Sequence, residues 1–184
     1  MTGVLALQGD FAAHGRALEA IGESWREIRT PEDLTGSDRL IIPGGESTTL
    51  GILLKLAGLE TAIPQRILDG MPVWGTCMGM ILLAEEIEAS DQFRFGVLDV
   101  TVKRNAFGAQ VFSFEQGFPM KGLEEPVHGV FIRAPIVTRC GKDVEPLAEI
   151  DGKTVAVRSG KILGTSFHPE LTNDSRIHSF FLSF

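Results

Sequence analysis

A chain of 184 residues has room for one domain with a sizeable core and little room for a second. Its 17 basic residues against 24 acidic ones leave a net charge of −7 with no basic block, which argues against nucleic acid or an anionic membrane as a partner. No apolar stretch is long enough to span a bilayer and no signal peptide precedes the first strand pattern. Cys77 and Cys140 lie in no metal-ligand spacing, so the expectation is a cytoplasmic protein with neither a disulfide nor a zinc site.

Taken in order, the chain alternates strands and helices. Val4-Leu5-Ala6-Leu7 is a compact apolar strand ending at Gln8-Gly9-Asp10, and Phe11, His14, Leu18 and Ile21 follow at helical spacing until Gly22. Trp25 to Ile28 is a weaker strand, and Thr30-Pro31-Glu32-Asp33 opens a short helical turn with an N-cap and a first-turn proline. Arg39-Leu40-Ile41-Ile42 is the next strand. It runs into Pro43-Gly44-Gly45-Glu46-Ser47-Thr48-Thr49, after which Leu50, Leu53, Leu54 and Ala57 form a helix stripe ending near Gly58, with Ser47 or Thr48 as the expected cap. A further helix from about Leu59 to Asp69 carries Pro64 in or near its first turn.

Met71 to Thr76 is then a strand that reaches Cys77 between Gly75 and Gly79, and a helical pattern continues through Glu85-Glu86. Gly-x-Cys-x-Gly between strand and helix is a nucleophile elbow: the nucleophile takes a sparsely allowed backbone conformation and the glycines permit close backbone approach. It also sets the sulfur at the N-terminal end of a helix, where unpaired N–H groups favour thiolate. The competing reading is a buried structural cysteine beside a glycine turn.

Beyond the elbow the pattern changes to alternation of apolar and polar residues, at Val97 to Lys103 and Gln110 to Phe114, which favours antiparallel pairing. Val127 to Arg133 and Ile136 to Thr138 are further strands. Ala148 to Ile150, Thr154 to Val157 and Ile162 to Phe167 form a meander whose Asp151-Gly152 turn is a hairpin signal, and a terminal helix starts near Asn173 with Ile177, Phe180 and Phe181 on its buried side. The sum is an α/β three-layer sandwich, a mostly parallel central sheet extended by antiparallel strands in the C-terminal half, with chemistry at the carboxyl ends of the parallel strands.

A cysteine nucleophile needs a base and a group that orients the base. His168 and Glu170 leave the end of one strand with Pro169 stiffening the step between them, so the carboxylate can hold one ring nitrogen and turn the other toward Cys77. A surface His-Pro-Glu turn is the alternative. His14, His128 and His178 read as structural or solvent-facing. The Gly44-Gly45-Glu46 turn lacks the lysine of a phosphate-binding loop, and its N–H groups with that of Met78 could hold an oxyanion. Arg104 and Arg133 each end a strand, as solvated charges or as a clamp for a substrate carboxylate.

Gly75-Thr76-Cys77-Met78-Gly79 with Ser166-Phe167-His168-Pro169-Glu170 resembles the Cys-His-Glu triad of class I glutamine amidotransferases, whose fold is flavodoxin-like. Leu5-Ala6-Leu7-Gln8-Gly9, Pro43 to Thr49, Lys103-Arg104-Asn105-Ala106-Phe107-Gly108 and Gly129 to Pro135 narrow the resemblance to the glutaminase subunits of pyridoxal 5′-phosphate synthase, along the whole chain. The resemblance implies Cys77 as nucleophile, His168 as base and acid, and Glu170 as its orienter. It implies Gly45, Glu46, Ser47, Arg104, Ile132 and Arg133 around L-glutamine, Gly45 and Met78 as oxyanion donors, and Gln8 in a loop facing the synthase subunit and the ammonia exit. It further implies no cofactor, and a (β/α)₈-barrel synthase subunit as partner in a large hetero-oligomeric complex.

Met78 stands where such chains usually carry alanine, Ala109 where an arginine is common, and the chain stops at Phe184, earlier than many members. An amidotransferase serving another pathway is opposed by the Gly44 to Thr49 and Ile132 to Pro135 stretches. A DJ-1-like cysteine peptidase or chaperone would place a histidine directly after the nucleophile, and a catalytically idle scaffold would leave Cys77, His168 and Glu170 unexplained.

Overall fold

The computed structural model describes residues 1–107 and 113–184, and for Ser47 the backbone alone. In chain order the elements are β1 (Thr2–Leu5), α1 (Phe11–Ala20), β2 (Trp25–Ile28), α2 (Pro31–Thr35), β3 (Arg39–Ile42), α3 (Ser47–Leu56), α4 (Leu59–Leu68), β4 (Val73–Thr76) and α5 (Met78–Leu83). They continue with β5 (Ala84–Ile87), β6 (Leu98–Lys103), β7 (Ser113–Phe118), β8 (Val127–Ile132), β9 (Ile136–Cys140), β10 (Glu145–Ile150), β11 (Lys153–Ser159) and β12 (Ile162–Thr165). A 3₁₀ turn (Pro169–Leu171) and α6 (Arg176–Leu182) close the chain.

Strands β2, β1, β3, β4 and β12 lie side by side and parallel, and the sheet continues antiparallel through β11, β9 and β6 before β5 ends it parallel to β6. β10 pairs with β11, and β7 with β8 makes a separate two-stranded sheet. Consecutive strand residues point to opposite faces, and the core divides accordingly. Leu5, Leu40, Ile42 and Val73 pack beneath Leu50, Leu54, Leu59 and Ile63 of α3 and α4. Val4, Ile41 and Trp74 face Leu18 of α1, Ile177 and Phe181 of α6, and Phe118 and Phe131 of the small sheet. The result is the three-layer arrangement expected, with α1, α6 and β7–β8 on one face and α2 to α5 on the other.

Local chemistry explains most boundaries. Thr30 and Asp33 form a reciprocal capping box at α2 with Pro31 behind the cap. Asp151 and Gly152 both take positive φ, 50° and 72°, as a two-residue hairpin turn between β10 and β11 requires.

Several expectations need correction. β1 starts at Thr2 and stops at Leu5, because its rungs follow β2 and end at Leu5↔Ile28, which leaves Ala6 and Leu7 outside. The helix after Cys77 ends at Leu83, not near Glu86: Ala84 turns to an extended backbone and Ala84–Ile87 joins the sheet beside β6. Pro64 sits in the interior of α4, where the burial of Ile63 and Ile67 holds the helix together despite the missing N–H. The cap of α3 is Glu46, whose carboxylate accepts from the N–H groups of both Thr48 and Thr49. α6 starts at Arg176, and the residues after His168 form the 3₁₀ turn instead. Of the strand expected at Gln110 to Phe114, residues 110–112 lie outside the described residues, and among the described residues a strand runs from Ser113 to Phe118.

Parallel pairing fixes where the site is. Gly75 is level with Ile42 of β3 and Gly164 of β12, so the loops leaving β3, β4 and β12 emerge together at one edge. The elbow depends on close approach there. A Cβ at Gly79 would overlap the carbonyl oxygen of Ile42, and one at Gly75 would overlap the Gly79 backbone. Gly79→Ala must therefore push α5 away from β3, at about 3 kcal/mol for an overpacked contact. Thermal denaturation should show a fall in Tm of about 6–12 °C for a chain of this size, and an unchanged Tm would refute the close contact.

Candidate active site

Cys77 has φ 50° and ψ −107°, a strained conformation for a residue with a side chain, at the step between β4 and α5. Its N–H donates to the Thr165 carbonyl of β12 at 2.7 Å, and its carbonyl accepts from Met80 at 3.1 Å. Both backbone groups are thus committed, and the side chain is turned to the open end of the strands. Its Sγ lies 3.8 Å from the Ile132 carbonyl of β8.

His168 follows β12 and is pinned by its own N–H donating to the Val130 carbonyl at 2.8 Å, so the small sheet holds this residue in place. Gly44 is what lets the ring sit there: a Cβ on Gly44 would run into His168 Cε1 and press on Cys77 Cβ. His168 Nδ1 is 2.8 Å from Glu170 Oε1, and the glutamate side chain is 1% exposed. Burial pushes the Glu170 carboxyl up, but the facing imidazoles of His14 and His168 more than offset this and hold it below the ordinary carboxylate range. Burial also pushes the His168 ring down, while hydrogen bonds and charge from Cys77 and Glu170 raise it, with a net rise to about 10.

In front of Cys77 is a cavity of about 300 Å³ lined by Gly45, Glu46, Cys77, Met78, Ile81, Arg104, Asn105, Ile132, Arg133 and His168. Of the residues expected around a substrate, Gly45, Glu46, Met78, Arg104, Ile132 and Arg133 are therefore brought together with Cys77 and His168. The side chain of Ser47 lies outside the described residues, as does Ala109. Glu170 stands behind His168, and Gln8 stands behind the glycine turn, where its amide donates to the Glu46 carbonyl. Glu46 itself spends its carboxylate on capping α3, and hydrogen bonds from Thr49 and Thr48 hold its carboxyl down to about 2. Arg104 reaches Gln92 Oε1 at 2.7 Å from the end of β6. Two cavity residues adopt left-handed backbone, Asn105 at φ 49° and Arg133 at φ 47°, which turns each chain sharply at the rim as its strand ends.

Sequence reasoning missed Asn105 and Ile81 in the cavity, and its reading of three histidines as structural or solvent-facing left open which is which. His128 is solvent-facing, 2.7 Å from Glu115 across the small sheet. His14 and His178 are fully buried and in contact with one another at 3.1 Å, and His14 Nε2 lies 3.4 Å from Glu170 Oε2 and from Thr76 Oγ1. The signal was present: a polar ring within an apolar helix stripe must find a polar partner. Asn105 follows the Arg104 singled out from the strand end, and asparagine is a residue that tolerates left-handed backbone.

Both cysteines are free thiols, and no group of three or more metal-ligating side chains occurs among the described residues. No helix among them is long and apolar enough to cross a membrane.

The model of the SNO glutamine amidotransferase family matches residues 4–184. The pyridoxal 5′-phosphate synthase subunit PdxT of Roseiflexus sp. is 53% identical, with 98% of each chain covered. PdxT of Thermus thermophilus is 52% identical over 99% of this chain and 96% of its own. A solved glutamine amidotransferase superposes with a TM-score of 0.94 at 50% identity, covering 99% of this chain and 97% of the other. PurLQS from Thermotoga maritima, at 18% identity and a TM-score of 0.73, shares the fold alone. A cysteine on a strained elbow, backed by a histidine and a buried glutamate, thus occurs in a chain that belongs to the SNO glutamine amidotransferase family.

Proposed function

We propose that the chain, as one domain over residues 1–184, is a cytoplasmic glutaminase that releases ammonia from L-glutamine for a pyridoxal 5′-phosphate synthase subunit. The observation that carries the reading is the line from Cys77 through His168 to Glu170 at the wall of a cavity rimmed by two arginines, in a chain about half identical to PdxT proteins. The cavity volume suits an amino acid of glutamine's size.

The chemistry is acyl transfer. With its proton on His168, the Cys77 sulfur attacks the side-chain carboxamide carbon of glutamine. The backbone N–H groups of Gly45 and Met78 hold the oxyanion, and losing one such donor costs a factor of about 10²–10³ in kcat. His168 gives its proton to the departing ammonia, leaving a γ-glutamyl thioester on Cys77. It then takes a proton from the water that hydrolyses the thioester to glutamate. Glu170 fixes the ring orientation and stabilises the imidazolium. Arg104 and Arg133, on the far rim, pair with the α-carboxylate, Ile132 packs on the substrate stem, and Glu46 and Ser47 complete the pocket. Gln8 lies where the partner's (β/α)₈ barrel would dock and ammonia would leave, within a large hetero-oligomeric complex. The family precedent for that partner lies in the PdxT names of the relatives.

The decisive measurement is glutamate release from glutamine, with and without the synthase subunit. Wild type should turn over in its presence, and Cys77→Ala should lose activity by a factor of about 10⁴ or more. Full activity in Cys77→Ala would remove the nucleophile assignment, and a wild type indifferent to the synthase would remove the partner.

The bond from Gln8 to the Glu46 carbonyl ties the docking loop to the glycine turn that carries Gly45. Gln8→Ala should lower the synthase-dependent rate about fivefold, a barrier change of the size of one hydrogen bond, with Tm lowered by no more than about 4 °C.

The protonation of His168 offers a test without turnover. Its folded value is raised above the ordinary 6.5, to about 10, so the folded chain holds this proton more tightly than the unfolded chain. The resulting stabilisation is fully present below about pH 6.5 and is lost as the pH rises through 10. Side-chain NMR of His168 should show an imidazolium at neutral pH, and Cys77→Ala should move its midpoint down. A ring that is neutral at pH 7 in wild type would contradict the pairing.

A further inference from the structure

Behind the candidate triad, Glu170 faces a second imidazole. His14 Nε2 on α1 stands 3.4 Å from Glu170 Oε2, and His14 Nδ1 stands 3.1 Å from His178 Nε2 on α6. Both rings are fully enclosed, boxed by the indole of Trp74 at centroid distances of 5.6 Å and 5.0 Å. Glu170 Oε2 and His178 Nδ1 are buried without a hydrogen bond of ordinary geometry. Nothing in the acyl-transfer steps uses either histidine.

Counting protons decides how these rings are arranged. In one tautomer His14 is protonated at Nδ1 and donates to His178. Its bare Nε2 then accepts from Thr76 and presents a lone pair to the Glu170 carboxylate, and His178 must bury an N–H at Nδ1 with no acceptor. In the other, His178 Nε2–H donates to His14 Nδ1, and His14 Nε2–H points toward Glu170 Oε2 and Thr76 Oγ1. That leaves only the His178 Nδ1 lone pair without a partner. An orphaned carboxylate oxygen and an orphaned N–H together cost more than one bare acceptor, so the second arrangement wins.

Charge points the same way. His14 is faced by Glu170, His168, His178 and its own helix cap Asp10, and His178 by His14, Glu170 and Asp174. Burial nonetheless pushes both rings down, His178 to about 3, so both stay neutral. A neutral donor satisfies Glu170 Oε2 without cancelling the charge that His168 needs.

Resting on the glutaminase reading, we propose that His14 is a positioning residue for the reaction: a neutral chain from His178 to His14 fixes the second oxygen of Glu170, and so the carboxylate plane that aims His168 at Cys77. The 3.4 Å separation is long, and such contacts shorten when a site closes on its substrate.

Two measurements test this. Side-chain NMR of the wild-type chain from pH 5 to 8 should show His14 and His178 neutral, both as Nε2–H tautomers; a titrating ring, or His14 protonated at Nδ1, overturns the proposal. Since no turnover is needed, this arm decides even if wild type proves not to be a glutaminase. In the complex with the synthase subunit, His14→Phe should lower kcat at least about tenfold with KM within about twofold. The uncompensated carboxylate should titrate at higher pH, moving the acid limb of the kcat profile up by about one pH unit. His14→Gln, whose amide can donate to the same oxygen, should recover kcat to within about threefold of wild type. Equal losses in both variants, or an unmoved acid limb in His14→Phe, would reduce His14 to packing and overturn the proposal.

Discussion

The parallel pairing of β4 between β3 and β12 is the constraint from which the site follows. Each of these strands contributes four residues and one loop. In-register pairing delivers the glycine turn, the cysteine and the histidine to one edge within reach of each other. The Cys77 N–H bond to the Thr165 carbonyl prolongs the β4–β12 ladder by one rung into the elbow itself. Strain at a non-glycine residue with positive φ persists only where its surroundings over-determine it. Here the ladder on one side and the tight α5–β3 contact at Gly79 on the other do so. Cys77 is thus held by a fully buried part of the sheet and not by a loop.

A second constraint is electrostatic. A carboxylate enclosed as fully as Glu170 would ordinarily take up a proton, and it would then cease to hold an imidazolium. It stays charged because two rings face it, one on each oxygen. The two rings play unequal parts: His168, next to the cavity, is driven to hold its proton, and His14, deeper, is driven to lack one. Environment alone separates two chemically identical side chains on either side of one carboxylate.

Much of this was legible in the sequence, and the limits are physical. The elbow was visible because Gly75, Cys77 and Gly79 sit at the junction of an apolar run and a helical pattern, a local signal with a local cause. His168 and Glu170 were visible because two residues on one turn can be matched to a chemical need. The corrections arise where tertiary pairing overrules local pattern. Ala84–Ile87 continues a helical apolar pattern yet is drawn into the sheet by β6, and its Glu86 bonds Thr101 across that pairing at 2.8 Å. Glu46 displaces Ser47 and Thr48 as cap because a longer acid one residue earlier can reach two N–H groups at once. His14 and His178 are 164 residues apart, so no spacing rule could connect them. Only the packing of α1 and α6 on the same sheet face does so.

The two halves of the site are built with different stiffness. Cys77, His168 and Glu170 are fixed by main-chain hydrogen bonds, strand pairing and burial. The Gly44–Glu46 turn opposite is exposed at Gly45 and Glu46, and is held from outside by a capping carboxylate and by the Gln8 amide. A residue with a Cβ at Gly44 would lock this turn against His168, and one at Gly45 would press on Gln8, so the glycines keep it narrow and adjustable. If an ammonia-consuming partner governs this chain, the economical place to act is that turn. A docked surface that moves the Gln8 loop moves the Glu46 peptide with it, and the N–H proposed as oxyanion donor at Gly45 is the next group along. On the proposed reaction Cys77 can then stay permanently strained, because the step waits on a wall of the cavity that other contacts set.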